Sequence, residues 1–487
     1  MFRLSQSLSV SLLMLLPVVA GAQWSSDPAA GVRLDNGEPS ALTLSGFQDQ
    51  SGGAIFHWNN FSSSSSTPPT TTFQRVDAAG YPLWYGEDVN DTRFNTLNNS
   101  NRVTVDADGN TYLMHTGYDL LHRLMYVYKF SPQGESLWPV EGVRACTISS
   151  GTHKEDPGDI LANDDGTLTI CWSENHTEDS TALMAQKFSA TGQRLWGDTG
   201  IVVASTDQGA STRMASDGAG GAILIWSRFS GSPRQSNLYA QRLNPAGAKV
   251  WGDTPVVVCN AAKNQNINAV VSDGEGGVVA LWEDTRGPQE EIYVQRLDPA
   301  GNAVWQANGI PFTPNNRFGH RGRILVQEGY AWILCEIYAA AGNPSTYLQK
   351  RDLALGQSQF PGIGLTVSSK RANYSDLATD DHGGVVVAWT YTDDDSTHTV
   401  SIQRLTADGQ PVWPAGGMPV CTAPKPKRNV VAVPMGDGNT IVGWVDERLD
   451  EGGGGTYGRW VNPYAAYVLP TGELLGTTTA HDWQLWQ

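Results

Sequence analysis

A unit of about 55 residues repeats along this chain, and it constrains the fold more than any other feature of the sequence. Its first landmark reads DGxGGxxxxW and is clearest in the segments that end at Trp226, Trp282 and Trp389. Looser copies end at Trp58, His115, Trp172, Cys335 and Trp444. Consecutive copies are 53 to 57 residues apart, so the chain contains eight units. A second landmark, Q(R/K)(L/F)xxxGxxxW, recurs in most of them.

Each unit has the pattern of four β-strands. The clearest unit runs NAVVSD, a Gly-rich tight turn, GVVALWED, a polar loop, EIYVQRLD, a second turn, and AVW leading into GIPFT. The second strand is almost entirely apolar, which is typical of a strand covered on both faces. Such units bury their apolar faces only against one another, which predicts an all-β, eight-bladed β-propeller with four strands per blade. Seven blades are the alternative, because the sixth unit has degraded landmarks at Gln349 and Phe360.

The two ends of the repeat region indicate how a ring would close. The last unit has Gly476 where its second tryptophan belongs, and the segment that begins at Trp24 resembles the one that begins at Trp196. We therefore expect the N-terminal segment to supply the outermost strand of the last blade.

Most of the tryptophans follow the repeat. Of the 17 in the chain, 13 fall at two recurring positions, which predicts a structural role between blades and not a platform for sugars. The second-strand position is held by Trp58, Trp172, Trp226, Trp282, Trp389 and Trp444. The docking position is held by Trp24, Trp84, Trp138, Trp196, Trp251, Trp305 and Trp413. The recurring Gln-Arg pairs are expected to bond neighbouring strands or blades.

The first residues have the pattern of a secretory signal peptide. Arg3 precedes an apolar run from about Leu8 to Val19 and an Ala-Gly-Ala triplet, which predicts cleavage before Gln23. The expected organisation is a signal peptide over residues 1–22 and a single propeller domain over residues 23–487. The mature chain is expected in the periplasm or outside the cell, as a monomer without a membrane insertion.

The net charge of −17 bears on possible partners. An acidic surface repels phosphate backbones and anionic lipid headgroups, which argues against nucleic-acid binding.

The repeat resembles two groups of known proteins. Units of the form DGxGGxxxxWxDxR and YxQRxDxxGxxxW, as in VSDGEGGVVALWEDTR and IYVQRLDPAGNAVW, resemble those of bacterial secreted repeat propellers. FSATGQRLW is similar to the tryptophan-docking motif of eight-bladed quinoprotein propellers, which implies the same blade count. The quinoprotein activity is not implied, because the adjacent cysteine pair and a calcium ligand set are absent from the sequence.

Cofactors and metals have little support in the sequence. The five cysteines include no C-x-x-C pair, so a thiolate zinc site is not expected. We expect the cysteines to be buried, unreactive thiols. DADGN resembles the start of a calcium loop, but Gly117 occupies the twelfth position, where an acid is required. A hairpin turn is the expected structure there.

Function is expected where the units differ, at the channel mouth and in the loops around it. Alignment of the first strands places alternating charged and polar residues there, with His320 nearby, and these are the candidate ligand-binding residues. They are Arg102, Asp159, Arg213, Asn268, His320, Arg321 and Asp376. Mutual salt bridges are the alternative explanation for them. Residues 61–72 and 449–458 are predicted loops on the same face.

These features favour a binding or scaffold module for a protein or a cell-surface glycan, with no cofactor and no enzymatic activity. The alternative is a polysaccharide hydrolase or lyase with Asp159 and Asp376 as its carboxylates. Glycoside hydrolysis requires two carboxylates about 5–10 Å apart, and a sequence does not show such a distance.

Overall fold

The structure is a computed structural model that describes residues 24–35, 41–60, 70–84, 101–118, 122–147, 153–177, 180–206, 211–230, 234–312, 318–338, 344–368, 372–392, 398–448 and 461–476. These residues form 31 β-strands and no helix. Among them, no helix is long and apolar enough to cross a membrane. The predicted signal peptide, the loop at 449–458 and most of the loop at 61–72 lie outside the described residues.

The strands recur in the order that the sequence pattern predicts, and we number the units 1 to 8 along the chain. The first strands are β2 (Ala41–Gln48), β5 (Arg102–Val105), β9 (His153–Ala162), β13 (Thr212–Ser216), β17 (Gln265–Ser272), β21 (Phe318–Gln327), β25 (Ala372–Thr379) and β29 (Lys427–Pro434). The second strands are β3 (Ala54–Asn60), β6 (Thr111–Tyr118), β10 (Leu168–Thr177), β14 (Ala222–Ser230), β18 (Val278–Asp284), β22 (Tyr330–Tyr338), β26 (Val385–Thr392) and β30 (Thr440–Asp446).

The outer strands are shorter on average. The third strands are β4 (Thr70–Val76), β7 (His122–Phe130), β11 (Ser180–Phe188), β15 (Gln235–Leu243), β19 (Glu291–Leu297), β23 (Pro344–Asp352), β27 (His398–Leu405) and β31 (Asn462–Val468). The fourth strands are β8 (Val143–Arg144), β12 (Ile201–Thr206), β16 (Val256–Cys259), β20 (Ile310–Pro311), β24 (Leu365–Ser368) and β28 (Met418–Cys421), and β1 (Val32–Arg33) joins the last unit.

Hydrogen bonding groups these strands into seven sheets, most of them four-stranded and antiparallel. One sheet has eight strands, because β7 of unit 2 pairs with β9 of unit 3 in parallel. The chain therefore has seven or eight sheets, depending on whether that pair is counted as one sheet or as two. Consecutive first strands contact each other, and β2 contacts both β5 and β29. This arrangement of repeated sheets around their first strands is that of a β-propeller.

The second strands lie between two layers of side chains, as their apolar sequences predict. In β18, Val279 and Leu281 pack toward unit 6, while Val278, Ala280 and Trp282 pack toward unit 4. All five side chains are fully buried. The units thus share continuous apolar interfaces, and hydrophobic burial between them stabilises the array.

The docking tryptophans join each unit to the next one in the chain. The Nε1 of Trp196, at the end of unit 3, donates to the carbonyl of Pro245 in unit 4 at 3.0 Å. The indole also packs on Gly247, which has a φ of 84°, and a Cβ there would lie 3.0 Å from the ring. Only glycine allows both this left-handed backbone and this close approach. The same Nε1-to-carbonyl bond is made by Trp24, Trp84, Trp138, Trp251, Trp305 and Trp413.

Unit 6 uses a phenylalanine at this position. The ring of Phe360 lies 2.7 Å from the site of a Cβ on Gly409 in unit 7, so it occupies the place of the missing indole. Phe360 therefore keeps the packing of unit 6 against unit 7, but it does not make the hydrogen bond that an indole would donate.

The Gln-Arg pairs also bond within and between units. Gln241 donates from Nε2 to the carbonyl of Gly252 and accepts from the N–H of Trp251. Arg242 pairs with Asp217 of its own unit at 3.0 Å and donates to the carbonyl of Pro299 in the next unit. These residues are therefore part of the scaffold.

The N-terminal segment lies in the sheet of the last unit. In β1, Val32 pairs with Ala465 and Arg33 pairs with Tyr464 of β31. Trp24, just before this strand, donates to the carbonyl of Ala78 in unit 1 at 2.9 Å. The segment therefore contacts both the last unit and the first.

Two smaller features agree with the sequence analysis. Residues 106–110 form a hairpin turn in which Asp106 accepts from the N–H groups of Asp108 and Asn110. All five cysteines are described, buried and free, so none forms a disulfide.

Candidate functional site

One position of the first strand recurs in the units around the axis of the propeller. The residue at this position pairs with the second-strand residue that comes directly before the tryptophan position. The residues at this position are Ser45, Arg102, Asp159, Arg213, Arg323, Asp376 and Val431. In unit 5 Ala269 holds this position, and the preceding Asn268 is the extra residue of a β-bulge. We call this set the axial ring.

Charged members of the axial ring bind the backbone of the following unit. Arg102 donates from Nε to the carbonyl of Gly158 at 3.0 Å, and Arg213 donates from Nε to the carbonyl of Asn268 at 2.9 Å. Asp159 accepts from the N–H of Met214 at 2.8 Å, and its other oxygen accepts from the N–H of Ile160. These side chains therefore link units 2 to 5 to one another.

The same arrangement recurs in units 6 to 8. Asp376 accepts from the N–H of Ala432 at 3.0 Å through Oδ2, and its Oδ1 lies 3.3 Å from the Nε of Arg323. The side chain of Arg323 is 47% exposed, whereas that of Asp376 is 21% exposed. Arg323 thus places a largely solvated guanidinium group beside a mostly buried carboxylate.

Burial and charge act in opposite directions on the ring carboxylates. Burial raises the pKa of Asp159, while Arg213 and the N–H of Met214 lower it. Burial likewise raises the pKa of Asp376, against the effect of Arg323 and the N–H of Ala432. Burial also lowers the pKa of Arg102, and repulsion from Arg213 acts in the same direction. The charged residues of the axial ring therefore affect one another's pKa values in a partly desolvated environment.

Three of the predicted site residues differ from this arrangement. The position equivalent to Arg213 in unit 6 is Arg323 and not Arg321, because Arg323 is the residue that pairs with Leu334, directly before Cys335. His320 and Arg321 belong to β21, but their side chains lie outside the described part of the chain. Asn268 bonds Glu283 of its own unit, from Nδ2 to Oε1 at 3.1 Å.

A cavity of about 300 Å³ lies along the axial ring where the first strands of units 1, 6, 7 and 8 meet. Its wall includes Ser45, Arg323, Tyr374, Asp376 and Asn429. Ser45 and Val431 occupy the ring position in units 1 and 8, so no charged side chain projects from the ring position of these two units. We call this space the axial cavity.

The axial cavity contains one residue in an uncommon backbone conformation. Asn429 has a φ of 48° and lies in the register shift between Arg428 and Val431. Asparagine tolerates left-handed φ better than most residues, and such positions concentrate at functional sites.

The sequence analysis did not identify Arg323, Tyr374 or Asn429. The ring position lies 13 residues before the second-strand landmark in Arg102, Asp159, Arg213 and Asp376. In unit 6 the residue that fills it lies 12 residues before Cys335, because the turn between the first two strands is shorter there, with Gln327 paired to Tyr330. Tyr374 and Asn429 leave no signal in the repeat, because their neighbours in space come from other units.

Metal-ligating side chains come together elsewhere. Among the described residues, the one group of three or more that could hold a metal ion is Cys146, Glu155 and Glu174. None of these residues lines the axial cavity.

No protein-family model matches the sequence, and no curated protein is significantly similar to it. Many solved structures resemble it weakly. An α-L-arabinanase of Penicillium chrysogenum is 12% identical over 67% of this chain and 98% of its own, with a TM-score of 0.37. The β-propeller domain of the Trilobed protease from Pyrococcus furiosus is 10% identical over 74% and 95%, with a TM-score of 0.41.

A third similar structure is prolyl oligopeptidase B of Galerina marginata. It is 15% identical over 84% of this chain and 55% of its own, with a TM-score of 0.45. Because these TM-scores are all below 0.5, the likenesses assign neither an activity nor a ligand to this chain.

Proposed function

We propose that this chain is an exported, eight-bladed β-propeller that binds a polar ligand, such as a cell-surface glycan or a protein, at the axial cavity and the loops around it. The blade count is supported by eight successive groups of strands. It is also supported by Trp24, which joins the last unit to the first through the same bond that the other docking tryptophans make. Export is supported by the signal-peptide pattern of residues 1–22.

The observation that carries the proposal of binding over hydrolysis is the use of the ring carboxylates. Asp159 and Asp376 each accept hydrogen bonds from N–H groups of the next unit, so they are held along the wall. A glycosidase needs two carboxylates that flank one bond. Only Asp376 of the two lines the axial cavity.

The cavity itself has features of a recognition site. Its volume is at the lower end of the range for small-molecule sites, which is roughly 300–1,000 Å³. Its wall is more polar than apolar, and Arg323, Tyr374, Asp376 and Asn429 are among the residues that line it. Polar groups in a ligand site fix the orientation of the ligand and provide specificity.

The hydrolase remains the alternative function, on one observation. The raised pKa of Asp376 is the property that a general acid needs, and this residue does reach the cavity. Wild-type protein incubated with a panel of polysaccharides would then release new reducing ends, and Asp376→Asn would abolish that release. We expect no release from either protein.

The binding proposal is tested on a glycan array and with extracts of cell surfaces. We expect wild-type protein to bind a subset of these probes and Arg323→Ala to bind them about 10- to 100-fold more weakly, since a hydrogen bond to a charged group contributes about 1.5–3 kcal/mol. The fold should be kept, because the side chain of Arg323 is 47% exposed and Asp376 keeps its hydrogen bond from the N–H of Ala432.

Arg213→Ala is the matched control for this experiment. Arg213 holds the same ring position, but its Nε and Nη1 donate to backbone carbonyls and it does not line the axial cavity. Its replacement should leave binding unchanged. Equal binding by wild type and Arg323→Ala, or the absence of binding to every glycan and extract, would contradict the proposal.

A further inference from the structure

Three cysteines lie at the end of a fourth strand or, for Cys146, two residues after it, and the thiol of each lies against an acidic residue of the following unit. In the first of these clusters, Arg286 links the two groups. Its Nη2 lies 3.2 Å from the Sγ of Cys259 and 2.5 Å from Oδ2 of Asp284. Asp284 also accepts from the Nε1 of Trp282 at 2.9 Å. A positively charged nitrogen thus lies between a thiol and a buried carboxylate.

The last unit repeats this arrangement closely. The Nη2 of Arg448 lies 3.2 Å from the Sγ of Cys421 and 2.6 Å from Oδ2 of Asp446. Asp446 accepts from the Nε1 of Trp444 at 3.0 Å. In both clusters the arginine follows the second-strand tryptophan by four residues. In both copies of this cluster, a guanidinium nitrogen of an arginine therefore lies at the same point, between the thiol and the carboxylate.

The third cluster differs at two positions. The residue four places after Trp172 is His176, so the sequence has no arginine there. The first-strand residue that pairs with the acid is Gln265 in unit 5 and Lys427 in unit 8, but it is Glu155 in unit 3. Compared with the other two clusters, this cluster has no arginine at that position and has a second carboxylate.

The remaining side chains of this cluster are close together and buried. One ligand atom from each of Cys146, Glu155 and Glu174 lies within 4.8 Å of the other two. These residues are 3%, 0% and 5% exposed. Tetrahedral zinc has Zn–S bonds of about 2.3 Å and Zn–O bonds of about 2.0–2.2 Å, which require ligand atoms roughly 3.5 Å apart. In the cluster the Sγ of Cys146 lies 2.9 Å from Oε1 of Glu155, and the three ligand atoms lie no more than 4.8 Å apart, so they are already close to that spacing.

Further groups hold these ligands in position. The Nε1 of Trp172 donates to Oε2 of Glu174 at 3.1 Å, and the N–H of Met125 donates to Oε2 of Glu155. Outer hydrogen bonds of this kind orient the ligands of metal sites. Cys146 also lines a cavity of about 600 Å³ between the turns of units 2 and 3.

We propose that Cys146, Glu155 and Glu174 bind a divalent cation of borderline softness, such as Zn²⁺, at the point where an arginine nitrogen lies in the two sister clusters. On binding, the thiol of Cys146 loses its proton to solvent, and one metal–sulfur and two metal–oxygen bonds form. The three residues supply all but one of the ligands of a tetrahedral ion. This site is separate from the axial cavity and does not depend on the function proposed for it.

The surroundings of Cys146 favour the protonated form of its thiol. Burial raises the pKa of Cys146, Glu155 and Glu174 raise it further, and Arg144 lowers it. Without an ion the thiol therefore keeps its proton at neutral pH. A bound cation stabilises the thiolate and so overcomes this shift.

The test uses the full mature chain after treatment with a chelator. Titration with Zn²⁺, followed by calorimetry, is expected to give one ion per chain, and Co²⁺ is expected to give the near-ultraviolet charge-transfer absorption of a cobalt thiolate. Cys146→Ala and Glu155→Gln should each weaken binding by at least about 10- to 100-fold and remove or shift that absorption. Cys259→Ala is the matched control, because Arg286 already fills its cluster, and it should bind like wild type.

Thermal unfolding keeps the result interpretable if a variant is less stable. Zn²⁺ should raise the melting temperature of wild type and of Cys259→Ala, and it should not raise that of Glu155→Gln, which preserves side-chain volume. Absence of Zn²⁺ and Co²⁺ binding in wild type would overturn the proposal. So would binding that Cys146→Ala and Glu155→Gln leave unchanged.

Discussion

Replacement of Trp196 by alanine is expected to lower the free energy of unfolding by about 3–5 kcal/mol. The indole is 6% exposed, packs between units 3 and 4, and donates a 3.0 Å hydrogen bond to the carbonyl of Pro245. Its removal leaves a cavity at an interface that the two units share, so the loss of packing adds to the loss of the hydrogen bond. Guanidinium unfolding followed by far-ultraviolet circular dichroism measures this change.

The neighbouring residue provides the control. Leu195 is 48% exposed, and Leu195→Ala should change the free energy of unfolding by less than about 0.5 kcal/mol. Trp196→Phe should give an intermediate loss, because unit 6 already keeps its packing with Phe360 at this position. If Trp196→Ala were no more destabilising than Leu195→Ala, the indoles would not be the contacts that join the units.

The second large effect is expected at the buried charge cluster of the last unit. Asp446 is fully buried, its Oδ2 lies 2.6 Å from Arg448, and the Nζ of Lys427 is 3.9 Å away. Asp446→Ala leaves two cations without their carboxylate in a desolvated place, which should cost about 3–5 kcal/mol of stability. Thermal and denaturant unfolding of the variant measure this loss.

An exposed pair serves as the matched comparison. The side chain of Asp198 is 85% exposed and lies 3.4 Å from Arg194, so Asp198→Ala should cost roughly 0–1 kcal/mol. A loss of less than about 1 kcal/mol in Asp446→Ala would show that water reaches the cluster and that its charges are not confined by the fold.

Local pattern was sufficient to predict the scaffold. The turn between the first two strands, the apolar second strand and the recurring tryptophans depend on residues close together in sequence, so each leaves a periodic signal. Phe360 shows how far this extends, since the sequence places it near the docking position and the structure packs it on Gly409 of the next unit. Contacts between units follow once every unit has the same shape.

The sites were harder to predict, for physical reasons that particular residues illustrate. In unit 6 the turn between the first two strands is shorter than in units 4 and 7, so the ring position falls at Arg323, whereas the alignment by sequence alone selects Arg321. The cluster of Cys146, Glu155 and Glu174 joins the end of one unit to two strands of the next. Because no short spacing relates the three residues, a search for cysteine pairs could not reveal it.

The charged residues of the axial ring have two different roles. Arg102, Asp159 and Arg213 bind backbone groups of the propeller wall, whereas the alternative interpretation from the sequence was mutual salt bridges and solvent exposure. Arg323 differs because its guanidinium group is largely exposed and lines the axial cavity. Recognition is therefore proposed at one sector of the ring and not around all of it.

The axial cavity exists only if the first strands surround an axis, and the N-terminal segment joins the last unit to the first where that ring closes. Disulfide cross-linking tests this closure most directly. Val32 and Ala465 are register partners in β1 and β31, and directly opposed residues of antiparallel strands have a Cα separation that suits a disulfide. With Val32→Cys and Ala465→Cys, we expect the folded protein to form an intramolecular disulfide under mild oxidation and to melt at a higher temperature. A control with Val32→Cys and Tyr467→Cys, two residues out of register, should not form it. If the register pair stayed reduced in the folded protein, the ring would not be closed in this way and the proposed binding site would be contradicted.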